Sequence, residues 1–124
     1  MKVPERIQRK RTPGFRQPPS CRYCGRGTKY GNLNTIHEWL KGTFLVCTNL
    51  GDIMAFSEQE ARTISLTYFR NDMHGNLKDD PAFYDSLLFY DYISCFCPLD
   101  LPCHADAIIE HLKKRAEELE RIPA

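Results

Sequence analysis

Between Ile93 and Ala105 the chain reads I-S-C-F-C-P-L-D-L-P-C-H-A, and this stretch constrains the fold more than any other. An apolar segment runs into two cysteines, a proline-bounded loop follows, and Cys103-His104 stand where a long amphipathic pattern begins. That order predicts a strand, a short loop and a helix. Cys95 and Cys97, two positions apart, share one face of an extended segment. Cys103 and His104 fall at the start of the helix, whose free N–H groups and positive dipole end favour anions and thiolates. Along the helix, Ala105, Ile108, Ile109, Leu112, Ala116 and Leu119 form one apolar face. Glu110, Lys113, Lys114, Glu117, Glu118 and Arg121 form the other, and Pro123 is placed to stop the helix.

The remaining elements follow from shorter signals. Thr43–Thr48 (T-F-L-V-C-T) is β-branched and aromatic, which predicts a strand, and Ile53–Phe56 pairs with it as a hairpin across Asn49–Asp52. Ser57 and Glu60 form a capping box ahead of Ala61, Ile64, Tyr68 and Phe69, which predicts a helix over 58–70. Asn71–Asp79 is polar and reads as a loop, and Asp80-Pro81 starts a short helix that runs to Phe89. Ser20–Cys24 and Asp91–Phe96 read as strands, and the lone Trp39 is expected in the core. Strand, loop and helix in this order predict an α/β domain over residues 21–124. The expected form is a small three-layer domain with a short mixed sheet, partly parallel, and a long C-terminal helix. Residues 1–20 carry Pro4, Pro13, Gly14, Pro18 and Pro19 and read as an extended arm.

Charge separates arm from body. Residues 1–30 hold nine Lys and Arg against Glu5 alone, while the 124-residue chain has a net charge of only +1. A basic arm on an acidic body suits phosphate-bearing partners, and Arg6, Arg9, Lys10, Arg11 and Arg16 are the candidate nucleic-acid contacts. The other reading is an arm that folds back on its own acidic body. The charged N-terminus lacks the apolar stretch of a signal peptide, and no apolar run approaches the roughly 20 residues of a membrane span. A cytoplasmic setting without a membrane partner is the expectation, in which six cysteines are read as thiols or ligands rather than disulfides.

Two loops carry chemistry. In G-R-G-T-K-Y-G-N, Gly25–Asn32, glycines let backbone N–H groups approach an anion, Arg26 and Lys29 add charge and Thr28 adds a hydroxyl. Gly25, Arg26, Thr28, Lys29, Gly31 and Asn32 are the candidate ligand contacts. An ordinary loop with two cations is the other reading, since the stretch matches neither a Walker A nor a dinucleotide fingerprint. The sulfur-rich loop has three readings. Cys95, Cys97, Cys103 and His104 are a donor set that suits zinc, although neighbours such as Cys103 and His104 do not readily reach one tetrahedral ion. Cys103 is alternatively a thiolate nucleophile with His104 or Asp106 as partner. Cys95 and Cys97 are otherwise buried small hydrophobes. Cys21 and Cys24 form a C-x2-C that both ligate only if the chain turns there. His111 reads as boundary packing, and His37 and His74 as solvated.

Three blocks taken together resemble a family. R-I-Q-R-K-R-T-P-G-F-R at Arg6–Arg16, G-R-G-T-K-Y-G-N at Gly25–Asn32 and C-F-C-P-L-D-L-P-C-H-A-D at Cys95–Asp106 occur in this order in a family of small phage and bacterial proteins catalogued as a domain of unknown function. Its members read R-I-Q-R-R-R-x-x-G-W-R-x-P, V-G-R-P-[ST]-K-W-G-N-P and C-W-C-x-P-x-x-P-C-H-A-D. The resemblance implies a small Rossmann-like α/β domain, by analogy of fold, and marks Arg26, Thr28, Lys29, Gly31, Asn32, Cys95, Cys97, Cys103, His104 and Asp106 as site positions. This chain departs from the pattern at Cys21 and Cys24, at Gly27 and Leu33 where the family prefers proline, and in extra hairpin sequence around Leu40–Phe56.

The expected function is a phage-related protein that binds a nucleotide or nucleic acid at Gly25–Asn32, in the host cytoplasm if phage-encoded. Two alternatives stand beside it. One is a nucleotide- or nucleoside-processing enzyme using Cys103 or Asp106. The other is a zinc-stabilised protein that docks on a host protein or ribonucleoprotein through its arm.

Overall fold

The computed structural model describes residues 1–122. Its strands are β1 (Glu5–Gln8), β2 (Cys21–Tyr23), β3 (Thr35–Leu40), β4 (Thr43–Thr48), β5 (Gly51–Ala55) and β6 (Tyr92–Cys95). The helices are α1 (Glu58–Asp79) and α2 (His104–Glu120), and a 3-10 turn spans Asp85–Phe89. The class is α/β, but the one mixed sheet expected from the sequence is two sheets of three strands. One is parallel in the order β1-β6-β2, and the other is the antiparallel meander β3-β4-β5.

β6 owes its central place to its composition. A strand flanked on both sides needs apolar or neutralised side chains on both faces. Ile93, Ser94 and Cys95 are buried, and the Ser94 hydroxyl donates to Gln17 Oε1 at 3.0 Å. Both neighbours take the same register, with Glu5 and Cys21 each opposite Tyr92. The pairing continues past the strand ends, since the Arg9 N–H donates to Cys95 O at 2.7 Å and the Cys24 N–H to Ser94 O at 2.8 Å. Part of the expected free arm is therefore sheet. Arg6 also pairs with Asp106, Lys2 with Asp91 at 3.6 Å, and the amino terminus with Glu120, so this end folds back on the acidic body.

Ser57 caps α1 by accepting the Glu60 N–H at 3.1 Å, as the capping box predicts. The helix does not stop near residue 70. Its buried positions Ala61, Ser65, Phe69 and Met73 recur every four residues, and Met73 carries that face through the polar stretch read as a loop. Gly75 lies in this extension with open space where a Cβ would stand. Glycine in a helix interior costs roughly 0.5–1 kcal/mol relative to alanine. Gly75→Ala is expected to stabilise the chain by about that amount, read as a higher urea midpoint at unchanged slope.

The helix predicted over 81–89 is a tighter coil. Asp80 Oδ1 accepts the Ala82 N–H at 3.0 Å, and bonds of three-residue span follow from Phe83, Asp85, Leu87 and Tyr90. Three residues per turn align Tyr84 and Leu87, both fully buried against the core that α1, α2 and β6 share. α2 starts at His104, with Cys103 as its N-cap and Asp106 completing a capping box. Pro123, expected to stop this helix, lies outside the described residues. A smaller core of Val46, Ala55 and Ala61 joins the meander to α1. Trp39, expected inside, is 59% exposed where β3 slips register against β4, on a strand end whose last four residues are all exposed. Among the described residues no helix is long and apolar enough to cross a membrane.

Candidate functional site

Because β1, β6 and β2 are parallel, their carboxyl ends leave the sheet at one edge. Three segments emerge there side by side: the arm after Gln8, the glycine loop after Tyr23 and the cysteine loop after Cys95. They enclose a cleft of about 380 Å³ that α1 closes from the side. Gly25, Arg26 and Asn32 line it from the glycine loop, and Cys95, Cys97, Cys103 and His104 from the other. Arg11 and Arg62 complete the cationic lining, and among the described residues no Asp or Glu contributes.

The glycine loop is two successive turns. The Thr28 hydroxyl and N–H both donate to Gly25 O, at 2.8 and 3.2 Å, and the Gly31 N–H donates to Thr28 O at 3.1 Å. A Cβ at Gly31 would stand 2.5 Å from Gly25 O, so only glycine lets the two turns pack. Thr28 and Gly31, predicted as ligand contacts, therefore shape the loop without lining the cleft. Lys29 leaves it altogether. Its Nζ lies 5.1 Å from the Tyr30 ring centroid and 5.4 Å from that of Phe83, where the aromatic faces attract the cation. Asn32 lines the cleft with its amide already engaged. Its Nδ2 donates to Ser65 Oγ and its Oδ1 accepts the Asn34 N–H and Nδ2, each at 2.9 Å. Asn34 Nδ2 also donates to Asp72 Oδ2 at 3.0 Å, and Ser65 Oγ donates to Asn34 O at 2.6 Å. This network fixes the loop to α1.

The sulfur atoms of Cys95, Cys97 and Cys103 all lie within 4.8 Å of one another, close enough to hold a metal ion. Cys95 Sγ and Cys103 Sγ are 3.1 Å apart. His104 Nε2 donates to Cys24 O at 2.7 Å, which leaves Nδ1 as the lone-pair nitrogen, 3.4 Å from Cys103 Sγ. The ring packs edge-on to Phe69 at 5.2 Å, and burial lowers the pKa of the imidazole. Hydrogen bonding from Cys103 and then from Cys95, with His104 and Arg62 nearby, holds the Cys97 thiol far below its usual range. Cys103 shifts the other way, because its hydrogen bonding with Cys95 and then Cys97, together with its burial, favours the neutral thiol. Within the trio the pKa of Cys103, the predicted nucleophile, is thus raised and that of the half-buried Cys97 lowered. Cys21 and Cys24 do not join this group. Cys24 is a core residue whose pKa burial pushes up to about 12, and burial likewise raises that of Cys21.

Two further candidates have structural duties. The Arg6 side chain, 7% exposed, donates from Nη1 to Asp106 Oδ2 at 2.7 Å and to Leu101 O at 3.0 Å. From Nη2 it reaches Pro98 O and Cys97 O. One fork thereby holds the whole cysteine loop, and it does not face an external phosphate. Asp106 accepts the Cys103 N–H at 3.1 Å besides Arg6, so it braces the helix start instead of standing free as an acid or nucleophile. Arg9 lies over Tyr23 at 4.8 Å and Arg11 over Phe96 at 4.2 Å, while Lys10 and Arg16 are exposed.

The family model described as a domain of unknown function, DUF4326, matches residues 7–114. The chain belongs to that family. The matched span takes in both loops of the cleft and all three clustered cysteines of this DUF4326 chain. No curated protein and no solved structure matches it. Arg62 was absent from the sequence expectation. It occupies an ordinary helix position paired with Glu58 at 3.2 Å, and no sequence signal aims it at loops thirty or more residues away on either side. Arg11 was read as part of a nucleic-acid arm, not as a wall of this cleft. Its one available signal was the spacing that carries it past the end of β1.

Proposed function

We propose that this DUF4326 chain binds a phosphate-bearing ligand, a nucleotide or the end of a nucleic-acid strand, in the cleft between the glycine and cysteine loops. One observation carries the reading: Arg11, Arg26 and Arg62 all line a cleft to which, among the described residues, no Asp or Glu contributes. Arginine forks match phosphate oxygens two at a time, and a cleft of one charge sign concentrates anions. The position at the carboxyl ends of parallel strands supports it further, since ligands of open α/β sheets collect there, and a Rossmann-like kinship of the three parallel strands is part of the proposal. Arg9, Lys10, Arg11 and Arg16 continue the cationic surface from the cleft along the chain, the course a strand's backbone would take. Zinc is the ion proposed for the three sulfurs, because thiolates select soft or borderline metals.

The test is titration of AMP by calorimetry, and of labelled single-stranded DNA and RNA by anisotropy, at low and high salt. Three arginine–phosphate contacts on a single strand give a log–log salt slope of about −2. Absence of binding, or affinity indifferent to salt, sinks the reading.

A further inference from the structure

Resting on that reading of the cleft, we infer that the ion on Cys95, Cys97 and Cys103 keeps one coordination position open, and that an oxygen of a phosphomonoester fills it. Three donors converge, whereas a tetrahedral ion takes four. The residues around the sulfurs do not supply the fourth. His104 approaches Cys103 alone, and its ring is held by the Cys24 carbonyl on one side and Phe69 on the other. Asp106 is not among the donors that lie within 4.8 Å of one another, and its Oδ2 is engaged by Arg6 and by the Cys103 N–H. Cys24 is fully buried, with its thiol 3.6 Å from Arg22 O. All three clustered cysteines line the cleft, so the missing direction is the one from which a ligand arrives. Metal sites with three protein ligands and one exchangeable position have this arrangement.

Charge agrees with the inference. A divalent ion on three thiolates carries one net negative charge. Arg11, Arg26 and Arg62 more than offset it, even with Glu58 paired to Arg62, and leave the cleft cationic towards an anion. A terminal phosphate has three free oxygens, one for the ion and two for the guanidinium forks. An internal phosphodiester has only two, so the ligand class is the phosphomonoester.

The experiment uses the full chain loaded with Co2+, whose visible bands report the number and kind of its ligands, and AMP as the probe with adenosine as control. The expected result is one cobalt per chain with thiolate charge-transfer absorption, and visible bands that shift with AMP at the calorimetric midpoint and not with adenosine. Calorimetry is expected to show AMP binding at least about tenfold tighter to the metal-loaded than to the metal-free chain. Visible bands that stay unchanged while AMP binds mean a closed shell; the inference then falls and the cleft reading stands. Failure to take up cobalt also overturns the inference, and AMP binding by the metal-free chain then decides the cleft reading separately. No AMP heat from either form overturns both. In His104→Gln the bands before AMP is added are expected to match the unsubstituted chain, and a changed spectrum would mean that the imidazole already fills the fourth position. Should that variant not fold, the unsubstituted titration decides alone.

Discussion

Arg6→Ala is expected to lose about 3 kcal/mol of stability and, with it, the order of the cysteine loop. Removing one partner of a buried ion pair typically costs 3–5 kcal/mol, and the lower bound applies because Asp106 stays 46% exposed and can be rehydrated. The lost bonds are not equivalent. Without the fork, Asp106 keeps the Cys103 N–H, so α2 still starts where it does. The carbonyls of Cys97, Pro98 and Leu101 lose the donor that gathers them. Urea unfolding followed by circular dichroism measures the first effect, and the rate of Cys97 alkylation in the folded chain the second. Arg6→Lys is expected to recover little of either, because a single ammonium does not reproduce a planar fork. A stability within about 0.5 kcal/mol of the parent chain would show that the loop holds itself.

Arg62→Glu is expected to abolish AMP binding in the accessible range, a loss of about 100-fold or more, with little change in stability. A charge-assisted hydrogen bond is worth about 1.5–3 kcal/mol, and every 1.4 kcal/mol is tenfold in affinity. Reversal also places a carboxylate where the cleft has none. Among the described residues the ion pair lost is with Glu58, which is 61% exposed, and such pairs contribute a few tenths of a kcal/mol. Arg62→Ala is expected to fall between, at about tenfold. Calorimetry and a urea curve on the same preparations separate the two effects. Unchanged AMP affinity in Arg62→Glu would move the ligand elsewhere on the molecule.

The sequence was informative where signals were local. The apolar run into Cys95, the amphipathic stripe of α2, the hairpin of β4 and β5 and the Ser57 cap each depend on residues within a few positions of one another. Signals failed where partners are distant. β1 sits among prolines and arginines, and only Ile7 interrupts its polar run, so nothing local marks it as a strand. Its stability comes from β6, near the other end of the chain. Residues 71–79 are polar because most of these helical turns face solvent, and Met73 and Leu77 are a faint sign of the buried face. The separation into two sheets was hidden for a related reason: strand order is a matter of pairing, and single strands do not announce their partners. At the site, the types of residue were legible and their directions were not. Lys29 and Arg26 look alike in the sequence, yet one lies on aromatic rings and the other on the cleft. Arg6 and Arg11 share the basic stretch, and one is an internal brace while the other lines the wall.

The central place of β6 has a consequence for when the molecule becomes competent. The β4–β5 hairpin and α1 join neighbours in the chain and can form early, while β1 and β2 must wait for a strand synthesised long after them. Pairing across so large a separation is slow, because the loop entropy is lost before any contact returns it. The glycine loop and the arm therefore have no fixed wall to face until the last quarter of the polypeptide is present. A nascent or C-terminally shortened chain would hold its helix and hairpin and still have nowhere to seat a phosphate.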